Sequence, residues 1–307
     1  MGPADGAFEV VEFASEGALL RGRLYRPQDS RPAPLVVMAH GTSATITMVT
    51  DRYAEVFRQS GLNVLLYDHR NFGGSGGEPR QEINPWIQAR GYGDAVTFGR
   101  SLDGVDRERI ALWGDSYSAA EVVVVGACDD RVAAVVAQVP SFGADLPPPD
   151  PDGSLFAALG ETLRDGDVSG GPTDTQGPIP VVSPDQLNAP SLLLPIQAFR
   201  WFIEYGGRHG TGWRNVATRV IPNTIAPFHA GVAAPHLHRP LLMMIAPHDE
   251  MPQANPDVSR AVYRAVPGVK HLIEIEGGHF GLLHHPSELF DSSSAAQRDF
   301  LVRTLVR

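Results

Sequence analysis

Short apolar runs alternate with helix-like segments through the first third of the chain, and this alternation limits the possible folds more than any other feature. Residues 34–39 include four consecutive large apolar side chains, and residues 62–67 form a second apolar run. Between them, residues 51–60 have helical spacing and end at Gly61. Buried strands that are separated by helices predict a parallel sheet with helices on both faces. The predicted fold class is therefore α/β.

The same alternation returns in the last quarter of the chain, after an interruption. We predict further strands at residues 18–25, 109–113, 132–139, 241–246 and 271–275, and further helices at 85–102, 117–128, 192–205, 258–265 and 287–307. Residues 142–235 hold 13 of the 26 prolines and interrupt this pattern. Because the sheet pattern resumes beyond them, we predict one core formed by residues 1–141 and 236–307, with residues 142–235 inserted as a cap.

Length, charge and cysteine content exclude several classes of function. A chain of 307 residues that is 43% hydrophobic is long enough for one large domain, or for one domain with an insertion. Its formal net charge of -10 and the lack of a basic block argue against a nucleic-acid partner or an anionic membrane surface. Cys128 is the single cysteine, so no intrachain disulfide forms and nothing requires an oxidising compartment.

The N-terminus and the hydropathy pattern bear on localisation. The first ten residues lack a basic stretch followed by an apolar one, which predicts no signal peptide. No apolar run approaches the length of a membrane span. The expected location is therefore the cytoplasm, without a membrane or nucleic-acid partner, and the sequence leaves a homodimer open.

A glycine-flanked serine lies between a predicted strand and a predicted helix. The pentapeptide Gly-Asp-Ser-Tyr-Ser at residues 114–118 follows the strand at 109–113 and opens the helix at 117–128. A strand, a glycine-flanked serine and a helix form the layout of a nucleophile elbow, which lifts the hydroxyl of Ser116 out of the sheet. The motif departs from G-x-S-x-G at its last position, where Ser118 replaces glycine. By itself, such a serine is also compatible with an ordinary turn at the end of a strand.

Two loops further along the chain supply the groups that a serine nucleophile needs. A serine hydroxyl requires a base within hydrogen-bond reach, and the base requires an acceptor that orients it. His279 follows the predicted strand at 271–275 and is the candidate base. Asp249 follows the strand at 241–246 and is the candidate acid, with Glu250 as its competitor. Ser, then Asp, then His, each in a loop after a strand, is a known chain order for such a triad.

An acyl-transfer site also needs amide groups that face the developing oxyanion. The N–H of Tyr117, at the start of the predicted helix, is one candidate for this oxyanion hole. The N–H of Thr42, directly after the strand at 34–39, is the other. His40, in the same loop as Thr42, either orders the loop or contacts the substrate.

Aromatic residues of the predicted cap and of the histidine loop are further candidates for substrate binding. Trp201, Tyr205 and Trp213 lie in the cap, and Phe280 follows the candidate base. The cap residues either form a small core of their own or line a pocket for an acyl group, since ligand pockets are mostly apolar. The residue types alone favour neither role.

No part of the sequence predicts a metal or a cofactor. The histidines at 236, 238, 284 and 285 have no acidic or cysteine partners at ligand spacing, which favours structural or solvated roles. The glycines at 73, 74, 76 and 77 lack the lysine of a phosphate-binding loop and the G-x-G-x-x-G spacing. We therefore expect a site that works without a metal ion or a cofactor.

With these motifs, the chain resembles the α/β-hydrolase superfamily over essentially its whole length. Residues 68–75, Asp-His-Arg-Asn-Phe-Gly-Gly-Ser, are similar to the D-x-R-G-x-G-x-S loop common there. Residues 67–80, together with residues 113–118, resemble the bacterial dienelactone-hydrolase-like and polyketide-transferase-like branch. The resemblance implies an α/β-hydrolase fold in which Ser116 is the nucleophile, Asp249 the acid and His279 the base.

The sequence departs from the family in two respects. The family usually has glycine at the position of Ser118, where we expect a slightly altered elbow. Dienelactone hydrolases proper use cysteine at the position of Ser116, so the resemblance does not imply their activity.

Together these features predict a serine hydrolase that cleaves a carboxylic ester, a lactone or a thioester of a small-molecule acyl substrate, through an acyl-enzyme on Ser116. The alternative is an acyltransferase that passes the same acyl group to an alcohol or an amine. A non-catalytic binding protein on this fold would lack a member of the triad, and none is missing. Epoxide and haloalkane hydrolysis are disfavoured, because relatives with those activities use an aspartate nucleophile.

Overall fold

The computed structural model describes residues 8–28 and 31–306 of the chain. The prediction of no signal peptide used the first ten residues, and residues 1–7 of these lie outside the described residues. The strands are β1 (Glu9–Ser15), β2 (Ala18–Tyr25), β3 (Ala33–Ala39), β4 (Asn63–Tyr67), β5 (Glu82–Ile83), β6 (Val105–Asp115), β7 (Val132–Gln138), β8 (Thr175–Ile179), β9 (Ala217–Val220), β10 (Leu241–Ile245) and β11 (Lys270–Glu274). The α-helices are α1 (Thr50–Gln59), α2 (Pro85–Ser101), α3 (Tyr117–Cys128), α4 (Ser154–Asp165), α5 (Ile196–Trp201), α6 (Ala230–Ala233), α7 (Pro256–Ala265) and α8 (Glu288–Leu305).

Eight of these strands form one sheet, in the order β1-β2-β4-β3-β6-β7-β10-β11. From β4 to β11 every neighbouring pair is parallel, whereas β1 and β2 add two antiparallel strands at one edge. Each strand predicted from the sequence is present in this sheet, which confirms the α/β class. Sequence analysis missed β1, an edge strand whose Val10 is 64% exposed.

Side chains that alternate along β3 pack against different helix layers on the two faces of the sheet. Val36 and Met38 belong to a hydrophobic core that includes residues of α1 and α8. Leu35 and Val37 belong to a second core, shared with α2, α3 and α7. Both faces of the strand are buried, and this is why its sequence is a continuous apolar run instead of an alternating one.

The segment at 142–235 is joined to the rest of the molecule by a second sheet and by hydrophobic contacts. Its strand β9 pairs with β5 from the first part of the chain, and β8 pairs with β9, in the order β5-β9-β8. Leu159 of α4 and Ala233 of α6 lie in one cluster with Trp86 of α2 and Val124 of α3. These contacts pack the segment on α2 and α3, and other residues of it, such as Val182 and Trp201, belong to the core that includes α1 and α8.

Two predicted elements are wrong in extent: the strand expected at 109–113 is the longer β6, and one helix is shorter than expected. The helix expected at 192–205 begins only at Ile196, and after α5 it continues as a π-helical turn at Phe202–Gly206. Pro195 directly precedes the helix with extended backbone, and its missing N–H is tolerated there because the first turn has no acceptor for it. No helix among the described residues is both long and apolar enough to cross a membrane.

Candidate active site

Ser116 stands at the sharp turn between β6 and α3. Its φ of 56° and ψ of -114° lie in a region that residues with a Cβ rarely adopt, and such strain is typical of a nucleophile elbow. The Ser116 N–H donates to the carbonyl of Gln138, and the Ser141 N–H donates to the carbonyl of Ser116, both at 2.9 Å. These bonds hold the hydroxyl at the carboxyl end of the sheet, where open α/β sheets carry their sites.

Two glycines allow the surrounding chain to approach this turn closely. A Cβ on Gly114 would lie 2.2 Å from the carbonyl oxygen of Ser118, and a Cβ on Gly41 would lie 2.9 Å from Ser116 Cβ. Cβ atoms do not make contacts this short, so both positions require glycine. Ser118 occupies the last position of the motif without such a conflict, and its hydroxyl turns into a buried polar cluster below the helix.

A chain of hydrogen bonds connects Ser116, His279 and Asp249. His279 Nε2 lies 2.8 Å from Ser116 Oγ, and His279 Nδ1 lies 2.8 Å from Asp249 Oδ2. Because a carboxylate only accepts, the Nδ1 proton is donated to Asp249, and Nε2 is left to accept from the serine hydroxyl. The His279 and Asp249 side chains are each only 2% exposed. The structure thus brings together the three residues that the sequence suggested for a triad.

The neighbouring carboxylate, Glu250, has a different partner. It accepts a hydrogen bond from the backbone N–H of His279 at 2.8 Å, so it holds the loop and not the imidazole. A Cβ on Gly278 would lie 2.0 Å from Glu250 Oε2, so the glycine makes room for this contact. Of the two acids considered from the sequence, Asp249 is the one that orients the imidazole.

The electrostatics of the site favour a charged histidine. Burial by itself lowers the pKa of His279, but the hydrogen bond and charge of Asp249, with the charges of Asp115 and Glu250, outweigh burial and raise it. Burial raises the pKa of Asp115 to about 6, although the charge of His279 and a hydrogen bond from the Gly41 backbone oppose this. A positive charge that develops on His279 during a reaction is therefore stabilised by neighbouring carboxylates.

The two amides predicted for the oxyanion hole belong to residues at the same cavity wall as Ser116. Thr42 follows β3 and Tyr117 is the first residue of α3, and both line the cavity. The His40 ring orders the loop of Thr42: its Nδ1 donates to the carbonyl of Gly41 at 2.8 Å, and its Nε2 accepts from the His69 N–H at 3.3 Å. Burial lowers the pKa of His40, which keeps the ring neutral.

Ser116 and His279 open into a cavity of about 770 Å³. Most of its lining side chains are apolar, and many come from the segment at 142–235: Phe142, Leu192, Leu193, Leu194, Trp201, Phe202, Ile221 and Phe228. Among the described residues that line it, Arg219 is the only arginine or lysine. A cavity of this size and character suits a largely apolar small molecule.

Two of the five residues suggested for substrate binding line this cavity, and three do not. Trp201 and Phe280 lie on its wall and stack on each other at 5.3 Å between ring centroids. His40 is fully buried below the loop, so the suggestion of a substrate contact gives way to the loop-ordering alternative. Tyr205 stacks behind Trp201, and Trp213 packs on Phe202, so both support the wall without reaching the cavity.

Sequence analysis missed several groups at the site. Arg219 lies on β9 and opposes the burial that raises the pKa of Tyr117 to about 12. Nothing in its local sequence marks it, because the chain around it has no clear periodicity. Glu121, one helical turn after Ser118, was also missed, although a charged residue inside the apolar stretch of α3 was a visible signal. The described residues contain no group of three or more histidine, cysteine, aspartate or glutamate side chains suited to a metal.

Solved structures share this architecture. The crystal structure of the α/β hydrolase GrgF from Penicillium sp. sh18 superimposes with a TM-score of 0.72 at 22% sequence identity, covering 98% of this chain and 99% of that one. The protein has the α/β-hydrolase fold. DcsB in complex with its substrate analogue gives a TM-score of 0.70 at 23% identity, covering 98% and 100% of the two chains. The fold implied by the sequence resemblance is confirmed.

Curated relatives of this chain carry names from acyl chemistry, although no family model matches the sequence. The thiohydrolase aneE from Aspergillus aculeatus is 44% identical over 138 residues, which cover 45% of this chain and 43% of that protein. The polyketide transferase grgF from Penicillium sp is 37% identical over 131 residues, covering 42% and 44%. The chain thus matches less than half the length of these two relatives. The quorum-quenching protein AidA from Acinetobacter baumannii is 29% identical over 302 residues, covering 95% and 94%.

Proposed function

We propose that this protein is a serine hydrolase that cleaves carboxylic esters, lactones or thioesters through an acyl-enzyme on Ser116. The observation that carries the proposal is the unbroken chain of hydrogen bonds from Asp249 through His279 to Ser116, at the mouth of an apolar cavity. A serine becomes a nucleophile when a base can take its proton and an acceptor orients that base. Both requirements are met by hydrogen bonds of 2.8 Å.

In this mechanism Ser116 Oγ attacks the substrate carbonyl while His279 Nε2 takes the hydroxyl proton. Asp249 holds the imidazole in the required tautomer and stabilises its positive charge. The N–H groups of Thr42 and Tyr117 donate to the oxyanion of the tetrahedral intermediate. His279 then gives its proton to the leaving group, and it activates a water molecule that releases the acyl group from Ser116.

We also propose that residues 142–235 act as a cap that shapes the acyl pocket. Trp201 and Phe228 from this segment line the cavity together with Phe280 and Met251 from the remainder of the chain. The apolar lining favours the acyl group over a charged partner in this space. The relative aneE, which is named a thiohydrolase, supports thioesters among these substrates.

The second candidate function is acyl transfer from the same acyl-enzyme. It is favoured by the apolar cavity, since a dry pocket protects an acyl-enzyme from water, and by the relative grgF, which is named a polyketide transferase. The two functions differ only in the molecule that accepts the acyl group. Analysis of products with and without an added alcohol decides between them: free acid alone indicates hydrolysis, and a new ester indicates transfer.

The experiment that tests the proposal compares wild type with Ser116→Ala on p-nitrophenyl esters from acetyl to dodecanoyl, and on matching alkyl thioesters. We expect wild-type turnover with a preference for medium or long acyl groups, and a loss of about 10⁴-fold or more in the variant. A fluorophosphonate should label Ser116 in the wild type.

The matched control is Ser101→Ala, which removes an exposed serine hydroxyl from α2. It should retain wild-type turnover and labelling. Undiminished turnover in Ser116→Ala would contradict the proposed function.

A further inference from the structure

A cluster of polar side chains lies buried below the elbow, and the mechanism above leaves most of it unused. Ser118, His69, Glu121 and His40 are each at most 1% exposed. They come from three places in the fold: the first turns of α3, the loop after β3 and the loop after β4. A buried polar group is costly unless it is hydrogen-bonded, so the arrangement of protons within this cluster is constrained.

The hydroxyl of Ser118 lies at the centre of the cluster and has three neighbours within bonding distance. Its Oγ is 2.6 Å from the carbonyl oxygen of His40, 2.8 Å from His69 Nε2 and 2.9 Å from Glu121 Oε2. A hydroxyl donates once and accepts up to twice. The carbonyl can only accept, and it makes the shortest contact, so the single proton of Ser118 belongs there. His69 and Glu121 must then both donate to Ser118 Oγ.

Both donors have the protonation that this arrangement requires. Burial raises the pKa of Glu121 to about 8, so its carboxyl group is protonated at pH 7 and has an O–H to donate. Burial and the neighbouring His40 lower the pKa of His69 well below its usual value, so its ring is neutral and can carry the proton on Nε2. The other titratable groups that face Glu121 are Tyr67 of β4, Tyr92 of α2 and Tyr117 of α3, all neutral at this pH.

The bond from Ser118 acts on the loop that carries one of the proposed oxyanion donors. Ser118 holds the carbonyl of His40, and the His40 ring in turn donates to the carbonyl of Gly41. The Gly41 carbonyl and the Thr42 N–H belong to one planar trans peptide, so they point in opposite directions. Fixing the carbonyl on the buried side therefore turns the Thr42 N–H towards the other side of the peptide, and Thr42 lines the cavity.

We propose that Ser118 is a positioning residue for the oxyanion hole, which ties the first turn of α3 to the loop at 40–42 through its hydrogen bond to the His40 carbonyl. The proposal rests on the proposed acyl chemistry at Ser116. It explains what a serine does at the position where the G-x-S-x-G motif has glycine: a glycine there supplies no hydroxyl to hold the loop. Glu121 and His69 donate to the same hydroxyl, and so leave its proton for the His40 carbonyl.

The first test compares Ser118→Ala with the wild type. We expect kcat on a p-nitrophenyl ester to fall about tenfold with KM changed less than twofold. A displaced donor stabilises the transition state less, whereas binding of the ground state does not depend on it. Affinity for an alkyl trifluoromethyl ketone, which forms an oxyanion on reaction with the serine, should fall by a similar factor. Hydrogen–deuterium exchange of a peptide covering residues 38–46 should become faster.

The matched control is Ser294→Ala, which removes a buried helical serine hydroxyl from α8, far along the chain from the site. It should change none of these quantities. If Ser118→Ala does not fold, Ser118→Gly removes the same hydroxyl and has the same expected outcomes. Unchanged kcat, ketone affinity and exchange in a folded Ser118 variant would overturn the proposal.

The second test uses the pH dependence of the hydrogen bond from Ser118 to the His40 carbonyl. When Glu121 ionises above about pH 8, its carboxylate becomes an acceptor and competes with His40 for the single proton of Ser118. We therefore expect wild-type kcat to fall on the alkaline side. The fall should be absent in Glu121→Gln, whose amide donates to Ser118 at every pH. An alkaline fall of equal size in both proteins would contradict the proposed proton arrangement.

The two proposals fail separately. If the wild type shows no turnover that depends on Ser116, the proposed function is wrong. The exchange of residues 38–46 still decides the role of Ser118 in that case, because it does not depend on catalysis. Faster exchange in Ser118→Ala than in Ser294→Ala supports the proposal that Ser118 holds the loop at 40–42, and equal exchange overturns it.

Discussion

At the scale of single residues, the adjacent carboxylates of Asp249 and Glu250 have different hydrogen-bond partners, because the turn after β10 directs their side chains differently. Asp249 accepts from the imidazole of His279, and Glu250 accepts from the backbone N–H of the same residue. Burial lowers the pKa of His279, but the hydrogen bond and charge of Asp249, with the charges of Asp115 and Glu250, outweigh burial and raise the pKa above its usual value. A base works only when neutral, so kcat/KM should rise with pH through this raised value.

Exchanging Asp249 for Asn should therefore have two effects. We expect kcat to fall about 10⁴-fold, because the amide cannot stabilise the imidazolium and favours the wrong tautomer. The acidic limb of kcat/KM should move to lower pH, because the contribution that raised the pKa of His279 is lost while burial remains. Rates on a p-nitrophenyl ester across roughly pH 5 to 9 measure both effects.

Glu250→Gln is the matched control for this experiment, because its amide oxygen can still accept from the His279 backbone. It should lose far less activity than Asp249→Asn. Equal losses in the two variants would mean that the assignment of the acid to Asp249 is wrong.

At the scale of elements, the aromatic residues of the segment at 142–235 have two roles: some line the cavity, and others pack against the residues that line it. Trp201, at the end of α5, lines the cavity and donates its indole N–H to the carbonyl of Leu283 at 2.8 Å. Trp213 does not line the cavity; it packs against Phe202 and against Gly206, where a Cβ would lie 2.6 Å from the indole. The sequence left open whether these aromatic residues form a core or line a pocket. In the structure Trp201 lines the cavity, and Trp213 packs against the hydrophobic core.

Trp201→Leu should shift the preferred acyl chain towards longer groups. The smaller side chain leaves space in the wall where the indole was, and an apolar acyl group gains about 0.8 kcal/mol for each methylene that it buries there. The measurement is kcat/KM across the p-nitrophenyl ester series. Trp213→Leu is the matched control: it should lower stability and leave the chain-length optimum in place, and an equal shift in both variants would argue against this division.

Local signals predicted the elements whose causes lie within a few residues. The Asn84 side chain accepts from the N–H groups of Trp86 and Ile87, and Pro85 occupies the first turn, as expected for the start of α2. By contrast, β9 pairs with β5, which lies more than a hundred residues earlier in the chain, and β8 pairs with β9. Pairing partners this distant leave no periodic signal in the sequence.

At the scale of the whole molecule, α8 is tied to the central strands through one glutamine. The Trp113 indole N–H of β6 donates to Gln297 Oε1 at 2.7 Å, and Gln297 Nε2 donates to Gln138 Oε1 of β7 at 2.6 Å. Gln297 is fully buried, so these bonds replace water for all three side chains. The last helix thereby supports the two strands that flank the elbow.

Gln297→Leu should lower the free energy of unfolding by about 2–4 kcal/mol, because it leaves the Trp113 N–H and the Gln138 oxygen buried without partners. Urea denaturation followed by tryptophan fluorescence measures the change. Gln59→Leu, at an exposed position of α1, is the matched control and should change the free energy by less than about 0.5 kcal/mol. A loss no larger than that of the control would show that the buried bonds contribute little.

The sequence by itself determined the α/β class, because continuous apolar strands, their intervening helices and the glycine-flanked turn at Ser116 are local patterns. It also indicated Asp249 and His279, since strand ends in a parallel sheet meet at one edge. Only the tertiary structure decided which of Asp249 and Glu250 reaches the imidazole, which aromatic residues face the cavity, and that Ser118 bonds to the His40 carbonyl. These choices depend on the directions of side chains from segments far apart in the chain, and such directions are fixed by packing, which has no local signature.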